Sequence, residues 1–475
     1  MIERPGFMRA RKRFLVFSLV LLEGILIAAS TCSAQLTGAL APLATFGGGD
    51  GWLAPFEYED YPYLGVSNLE RGMAYGNGHL YLVSRNPTPG IRILDAATGV
   101  DPGTELDLGS LNLGTGIISG GTFALNMVAV GGDGAIYVGN LQGTTSTAGG
   151  AFYKVYKWAN ESATPTVAYS GNAGLDGARI GDDIAVIGSG ASTRIVAGFG
   201  NNTSVTGNNG YAVIDPTAGT ATAVSFPSTP PNAGDFQLGI TFTDANHVIG
   251  TRGGGTYDYT SYSGSAGTLI ATPTLAHPGG ATAERQMAYD VINGTPLLAI
   301  QSTGDAHVSI YSLADPSNPV YLTDGNATNG TLATNGNSTG SVAWGPTVNN
   351  GDGTFSASLY AMSTNAGIQA FTFTLSPSTV VSVPGDYNHN GVVDAADYVL
   401  WRDTLNQSVP AGTGADGDGD GVVTQADYNF WRARFGNTSG SGSLASANVP
   451  EPASLVACCV ACGMITLASR RRALK

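Results

Sequence analysis

The sequence predicts a mainly β protein, a six-bladed β-propeller with seven blades as the alternative count, followed by a small α module. Three observations point there. From about residue 45 to 375, short β-prone runs alternate with Gly, Asn, Asp and Thr turns, with no long helical stripe among them. Comparable runs recur near Met73, Val128, Ile184, Ile240, Ala288 and Val342, a spacing of roughly 48–56 residues that fits four-stranded blades. Beyond residue 385 the period changes: Tyr398, Trp401 and Leu405, then Tyr428, Trp431 and Phe435, fall at helical i, i+3, i+7 spacing.

Composition supports a folded, exported chain. The 475 residues include 68 Gly and 23 Pro, too few for low-complexity disorder, and the length is ample for a buried core. Lys and Arg number 21 against 35 Asp and Glu, a net of −14. The ends hold much of the basic charge. Without 1–34 and 453–475, 12 basic and 33 acidic groups remain, a net of −21, with Lys154 and Lys157 the only lysines. That balance argues against a nucleic-acid partner and for cations or neutral polymers. The four cysteines, Cys32, Cys458, Cys459 and Cys462, lie in the terminal apolar segments, so the body holds no disulfide, thiol nucleophile or Cys-ligated zinc.

Residues 1–34 read as a signal peptide. Arg4, Arg9, Arg11, Lys12 and Arg13 precede an apolar run from Phe14 to Ser30, interrupted by Glu23 and Gly24. Cys32-Ser33-Ala34 before Gln35 places small residues for cleavage between Ala34 and Gln35. Residues 35–375 are the propeller-like ectodomain. Its clearest strand pair runs from Arg71 to Ser84 through the Asn77-Gly78 turn. A strand within 43–56 is expected to pair with the last blade and close the ring; a β-sandwich pair or a β-helix is the rival architecture. The first blade, Glu70 to Arg85 with Leu94-Asp95-Ala96-Ala97-Thr98-Gly99, resembles uncharacterised exported bacterial propeller-like domains, a local likeness that names no activity.

The body shows no catalytic motif. His79, His247, His277 and His307 stand apart, and neither H-E-x-x-H nor G-x-S-x-G occurs. Gly47-Gly48-Gly49 and Gly253-Gly254-Gly255 lack the strand–loop–helix setting of a phosphate cradle and read as loops. Asp182-Asp183 reads first as a turn cap, with half of a carboxylate pair as its functional reading. Glu57, Glu59 and Asp60 among Tyr58, Tyr61 and Tyr63 read first as a packed loop, with sugar stacking as the alternative.

Residues 376–384 link the body to a module at 385–436. Asp386, Asn388, Asn390, the Val392 carbonyl, Asp394 and Asp397 occupy positions 1, 3, 5, 7, 9 and 12 of a twelve-residue loop, with Gly391 at position 6. Asp416, Asp418, Asp420, the Val422 carbonyl, Thr424 and Asp427 repeat the pattern thirty residues later, with Gly421 at position 6. Calcium takes six to eight hard oxygens in a flexible shell, and such a loop supplies them, so two calcium ions are expected. The helical stripe after each loop is expected to pack on the other as a small core. The module resembles a type I dockerin, since position 12 is Asp in both loops and no helix enters either one. The resemblance implies a cohesin-like partner. Ala395-Ala396 and Gln425-Ala426 at positions 10 and 11 depart from the Ser/Thr pair common in cellulosomal dockerins, and a calcium-rigidified spacer is the alternative role.

Residues 437–448 form a Gly/Ser/Asn/Ala-rich tether. Residues 449–475 then run Val449-Pro450-Glu451-Pro452, seventeen apolar positions from Ala453 to Ser469, and Arg470-Arg471-Arg472. That length is the short end of a membrane span, with the arginines on the cytoplasmic side. The order resembles the PEP-CTERM sorting signal of Gram-negative bacteria. It implies an exosortase-type partner that cuts near Pro450-Glu451-Pro452, after transient or retained insertion in the inner membrane. The expectation is an exported cell-envelope or extracellular-matrix protein that binds or supports, with extracellular polysaccharide as a candidate partner and no catalytic residue assigned. The alternative is a polysaccharide-active hydrolase or lyase, or a cohesin-binding component of a degrading assembly.

Overall fold

The computed structural model describes residues 36–55, 61–109, 116–200, 205–227, 231–277, 283–328, 332–376, 383–388, 392–409, 412 and 414–437. The cleavage pair Ala34 and Gln35, residues 57–60, Asn390, the tether beyond 437 and the Pro450-Glu451-Pro452 signal lie outside them. The described residues divide into two units at residue 379.

The first unit is six antiparallel sheets in a ring. Two strands precede the blades, β1 (Thr37–Pro42) and β2 (Trp52–Leu53). Blade one is β3 (Glu70–Gly76), β4 (His79–Ser84) and β5 (Gly90–Asp95). Blade two is β6 (Phe123–Val130), β7 (Ile136–Leu141), β8 (Tyr153–Trp158) and β9 (Thr166–Gly171). Blade three is β10 (Ile180–Ile187), β11 (Arg194–Phe199), β12 (Tyr211–Asp215) and β13 (Thr220–Val224). Blade four is β14 (Gly239–Asp244), β15 (His247–Thr251), β16 (Asp258–Ser263) and β17 (Ala266–Ala271). Blade five is β18 (Glu284–Ile292), β19 (Thr295–Ser302), β20 (Val308–Ser312) and β21 (Val320–Gly325). Blade six is β22 (Gly340–Asn349), β23 (Phe355–Ser363) and β24 (Gly367–Ser376), with β1 as its outermost strand.

The innermost strands β3, β6, β10, β14, β18 and β22 pack on one another in that order, and β22 returns to β3. Met73, Val128, Ile184, Ile240, Ala288 and Val342 fall one on each, so the sequence period is the blade period and the count is six, not seven. Sheets pack face to face through buried side chains, as where Tyr81 and Ile93 of blade one meet Val128 and Trp158 of blade two.

Ring closure follows the expectation in part. The strand within 43–56 shrinks to β2, which meets β24 at Trp52↔Gln369 and Leu53↔Ile368. The main closing strand is β1, paired with β24 from Thr37↔Ser376 to Pro42↔Phe371. Its Gly, Ala and Pro residues carry a weak strand signal. Gly38 is needed there, since a Cβ would stand 2.8 Å from the Phe373 ring. Blade one borrows a fourth edge from residues 104–106, where Ile93 N donates to Thr104 O and Leu106 N to Ile91 O.

Among its described residues the second unit has two helices, α1 (Ala395–Thr404) and α2 (Gln425–Arg432). No helix among the described residues is long and apolar enough to cross a membrane.

Neighbouring inner strands come so close that a Cβ on Gly239 would lie 1.7 Å from the Arg285 carbonyl oxygen. Backbone is there and cannot yield without shifting a blade. Gly239→Ala is expected to destabilise the propeller by about 1–3 kcal/mol in urea melts. A variant as stable as the parent would mean that blades four and five are not packed this tightly.

Candidate functional site

Most inner strands start buried and become half-exposed or exposed toward their ends, and together they line a central channel. A cavity of about 290 Å³ within it has Asp183, Gln286 and Ser341 toward its deep end. Half-buried Tyr75, Tyr289 and Trp344 line the other end.

A belt of polar side chains crosses from blade to blade at the deep end. Arg71 Nε donates to Asn126 Oδ1 at 2.7 Å, and Asn126 Nδ2 donates to Gly181 O at 2.5 Å. Asp183 accepts Ile184 N at 2.9 Å within its own strand and Ile240 N at 3.0 Å from blade four. Gln286 Nε2 donates to Leu238 O at 3.4 Å and Ser338 O at 2.7 Å. Ser341 Oγ accepts Met73 N at 2.9 Å and completes the circuit. Burial brings the Arg71 guanidinium down to about 10 and raises the Asp183 carboxyl well above its usual range. Asp182-Asp183 therefore does not cap a turn. Both residues stand in β10, and Asp182 is held by Arg179 Nε at 2.7 Å and Gln237 Nε2 at 3.0 Å.

The histidines also find partners. His79 Nδ1 lies 2.6 Å from Glu161 Oε1, and His247 Nδ1 lies 2.8 Å from Asp244 Oδ2. His277 and His307, which stand apart in sequence, converge on Asp324 in blade five. No motif announces that meeting, because three separate segments supply it.

In the second unit the two loops share one construction. Asp397 accepts Asn388 N at 3.0 Å and Asp394 N at 2.8 Å. Asp427 accepts Asp418 N at 3.1 Å and Thr424 N at 2.6 Å, the same loop positions. Asp394 and Thr424 cap α1 and α2 by accepting Ala396 N and Ala426 N. Asp416 gathers four backbone donors, from Gly412, Gly419, Asp420 and Gly421, at 2.8–3.1 Å. Oxygens of Asp416, Asp418 and Asp420 lie within 4.8 Å of one another. Desolvation and repulsion from Asp427, Asp420 and Asp416 push the Asp418 carboxyl up. Val422 bridges to Ser408, and Val393, after Val392, receives a hydrogen bond from Gly436 N at 2.8 Å. Asp386 is buried at the head of the first loop.

The helical stripes pack only in part. Tyr398 and Trp401 meet Tyr428 and Trp431, with Trp401–Tyr428 centroids 5.0 Å apart. Trp401 Nε1 donates to Thr424 O and Trp431 Nε1 to Asp394 O, which ties each helix to the other loop. Leu405 and Phe435 stay 37% and 56% exposed, since each lies past the end of its helix.

Asp258 lines another cavity of about 290 Å³ with Asp235 and Arg252. Burial, with repulsion from Asp235, pushes its carboxyl up to about 6, against an opposing hydrogen bond from Thr272 Oγ1 at 2.5 Å. The folded form then binds the extra proton between the ordinary value of 3.8 and about 6. Stability from the protonated pair is present at the acid end of that window and lost as pH rises through 6. Asp258→Asn keeps an acceptor for Thr272 and removes the charge. It is expected to stabilise the protein by about 1–3 kcal/mol above pH 6, the gain shrinking toward pH 4, in urea melts across that range. An Asn variant no more stable than the parent at pH 7 would contradict the assignment.

No family model and no curated protein matches the chain. Among solved structures it is similar to a DUF4623 family protein from Bacteroides eggerthii, at 16% identity over 71% of this chain and 75% of that one, with a TM-score of 0.49. It is also similar to the periplasmic gluconolactonase of Pseudomonas aeruginosa, at 10% identity over 71% and 99%, with a TM-score of 0.38. A protein of unknown function from Dyadobacter fermentans gives 11% identity over 72% and 98%, with a TM-score of 0.37.

Proposed function

We propose that the protein is an exported cell-envelope or extracellular binding protein, a propeller carried by a two-calcium, dockerin-like module and sorted through its C-terminal signal by an exosortase-type enzyme. The observation that carries this reading is the matched construction of the two loops. In each, the position-12 carboxylate accepts the backbone N–H groups of positions 3 and 9, which draws the loop into a ring. Asp416, Asp418 and Asp420 crowd their oxygens together, and hard oxygen donors on a short loop suit calcium. A divalent cation would offset the repulsion that raises Asp418. Asp386, Asn388, the Val392 carbonyl, Asp394 and Asp397 would hold the first ion, and Asp416, Asp418, Asp420, the Val422 carbonyl, Thr424 and Asp427 the second. Calcium would lock each loop at the head of its helix, and the ordered module would serve as a spacer or a cohesin-type plug.

The ligand end of the reading rests on the propeller channel. Half-buried Tyr75, Tyr289 and Trp344 line it with Asp290; Tyr75 stacks on Tyr360 and Trp344 packs on Phe373, so their remaining accessible edges are the surface offered to sugar faces and hydroxyls. An extracellular polysaccharide is the partner this favours, and the net charge of the body agrees with a neutral polymer.

Calorimetric titration should give two calcium-binding events per chain, and Asp386→Asn with Asp416→Asn should abolish both while the propeller's unfolding transition stays in place. Two events persisting in the double variant would refute the loop assignment. On a glycan array, Trp344→Ala should lose at least tenfold in sugar binding with calcium binding intact. Equal binding by that variant would move recognition away from the channel.

A further inference from the structure

We propose that His277, His307 and Asp324 form a site for a first-row transition-metal ion of the zinc class on blade five, separate in place and chemistry from the calcium loops. His277 lies between β17 and β18, His307 immediately precedes β20, and Asp324 is near the end of β21, where the register pairs it with Ser309. Three chain segments thus deliver three ligands to one edge of a blade.

The geometry brings two imidazole nitrogens onto one carboxylate oxygen. His277 Nε2 is 3.5 Å from Asp324 Oδ2, and His307 Nε2 hydrogen-bonds the same oxygen. The two rings stand nearly perpendicular, with centroids 5.8 Å apart and an interplanar angle of 79°. All three candidate donor atoms lie within 4.8 Å of one another. Tetrahedral ligands at about 2.0–2.1 Å from zinc are about 3.3 Å from each other, so His277 and Asp324 are nearly at ligand spacing. His307 and Asp324, now in a direct hydrogen bond, would have to part by about 1 Å to reach that spacing and admit the ion.

The surroundings fit an ion. The Tyr321 hydroxyl donates to Asp324 Oδ1, which orients the carboxylate and leaves Oδ2 to the histidines, the usual outer partner of a ligating group. Glu284 is 3% exposed, and its Oε2 has no hydrogen-bond partner among the described residues. The three ligand side chains are 15–32% exposed, open enough for an ion to enter from solvent. Two imidazoles and one carboxylate select zinc, copper, nickel or iron(II) over calcium and magnesium. Three protein ligands leave a fourth position for water or a ligand group.

The test is a cobalt(II) titration of the calcium-saturated full chain, followed by visible d–d absorption and displaced with zinc. One tetrahedral cobalt centre per chain is expected, lost in His277→Ala and in Asp324→Asn and retained in Asp418→Asn. Tyr321→Phe, which keeps every ligand, should weaken metal affinity by about 10–100-fold. His307→Gln preserves hydrogen bonding to Asp324 and guards against loss through misfolding; it too should lose the cobalt spectrum while its thermal melt without metal matches the parent. No tetrahedral cobalt spectrum in the parent, or one that survives His277→Ala with His307→Gln, would overturn the proposal and leave a hydrogen-bonded His–Asp–His cluster.

Discussion

Asp183 joins two blades with one carboxylate, and the ring depends on links of this kind. Where six inner strands converge, each ladder satisfies backbone groups only within its own blade. The starts of the strands are therefore bridged by side chains, through Arg71, Asn126, Asp183, Gln286 and Ser341. Four of the inner pairs also slip register there, at Glu70/Met73, Phe123/Met127, Ile180/Ile184 and Glu284/Gln286. A bulge frees backbone groups from the ladder and makes them available to a neighbouring blade. The same convergence requires close backbone approach, as at Gly239. Polar bridging and tight packing at the deep end leave the other end of the channel to hold aromatic rings.

The second unit solves a different problem with similar economy. Its side-chain oxygens at loop positions 9 and 12 also belong to the helix starts, since Asp394 with Asp397, and Thr424 with Asp427, form capping boxes. Closing a loop and starting a helix are thus one event. Anything that fixes the carboxylates fixes the helices, and the crossed bonds from Trp401 to Thr424 and from Trp431 to Asp394 extend that order to the opposite half.

Local features were legible in the sequence. The inner-strand period places one marker on every blade, and Asn77-Gly78 turns with both φ positive, at 55° and 84°. The loop spacing names Asp416, Asp418 and Asp420, whose oxygens lie within 4.8 Å of one another. Features set by distant segments were not legible. The closing strand β1 is short and rich in Gly, Ala and Pro, and its identity comes from the partner edge of β24. Asp182-Asp183 has the composition of a turn, yet burial against blade four makes it strand. Leu405 and Phe435 hold the helical spacing, but their helices stop before reaching them. The meeting of His277, His307 and Asp324 follows only from how blade five folds over the segment that enters it.

Blades one and five make the division of labour visible. Glu70-Arg71-Gly72-Met73-Ala74-Tyr75 recurs as Glu284-Arg285-Gln286-Met287-Ala288-Tyr289, and both glutamates and both methionines are buried. The copies then diverge. Arg71 is buried against Asn126, whereas Arg285 is half-buried and donates to Arg252 O and Thr303 Oγ1. Position 72 is Gly because a Cβ would come within 2.7 Å of Met127 Cα, whereas Gln286 at the matching place reaches both neighbours. Five of the six positions are shared, and all lie on the innermost strand, where geometry repeats and tolerance is small. The histidine–aspartate cluster is built instead on β20, β21 and the entering segment, where the ring imposes no common demand. A blade can therefore acquire new chemistry at its outer strands without disturbing the inner strand that holds it in place.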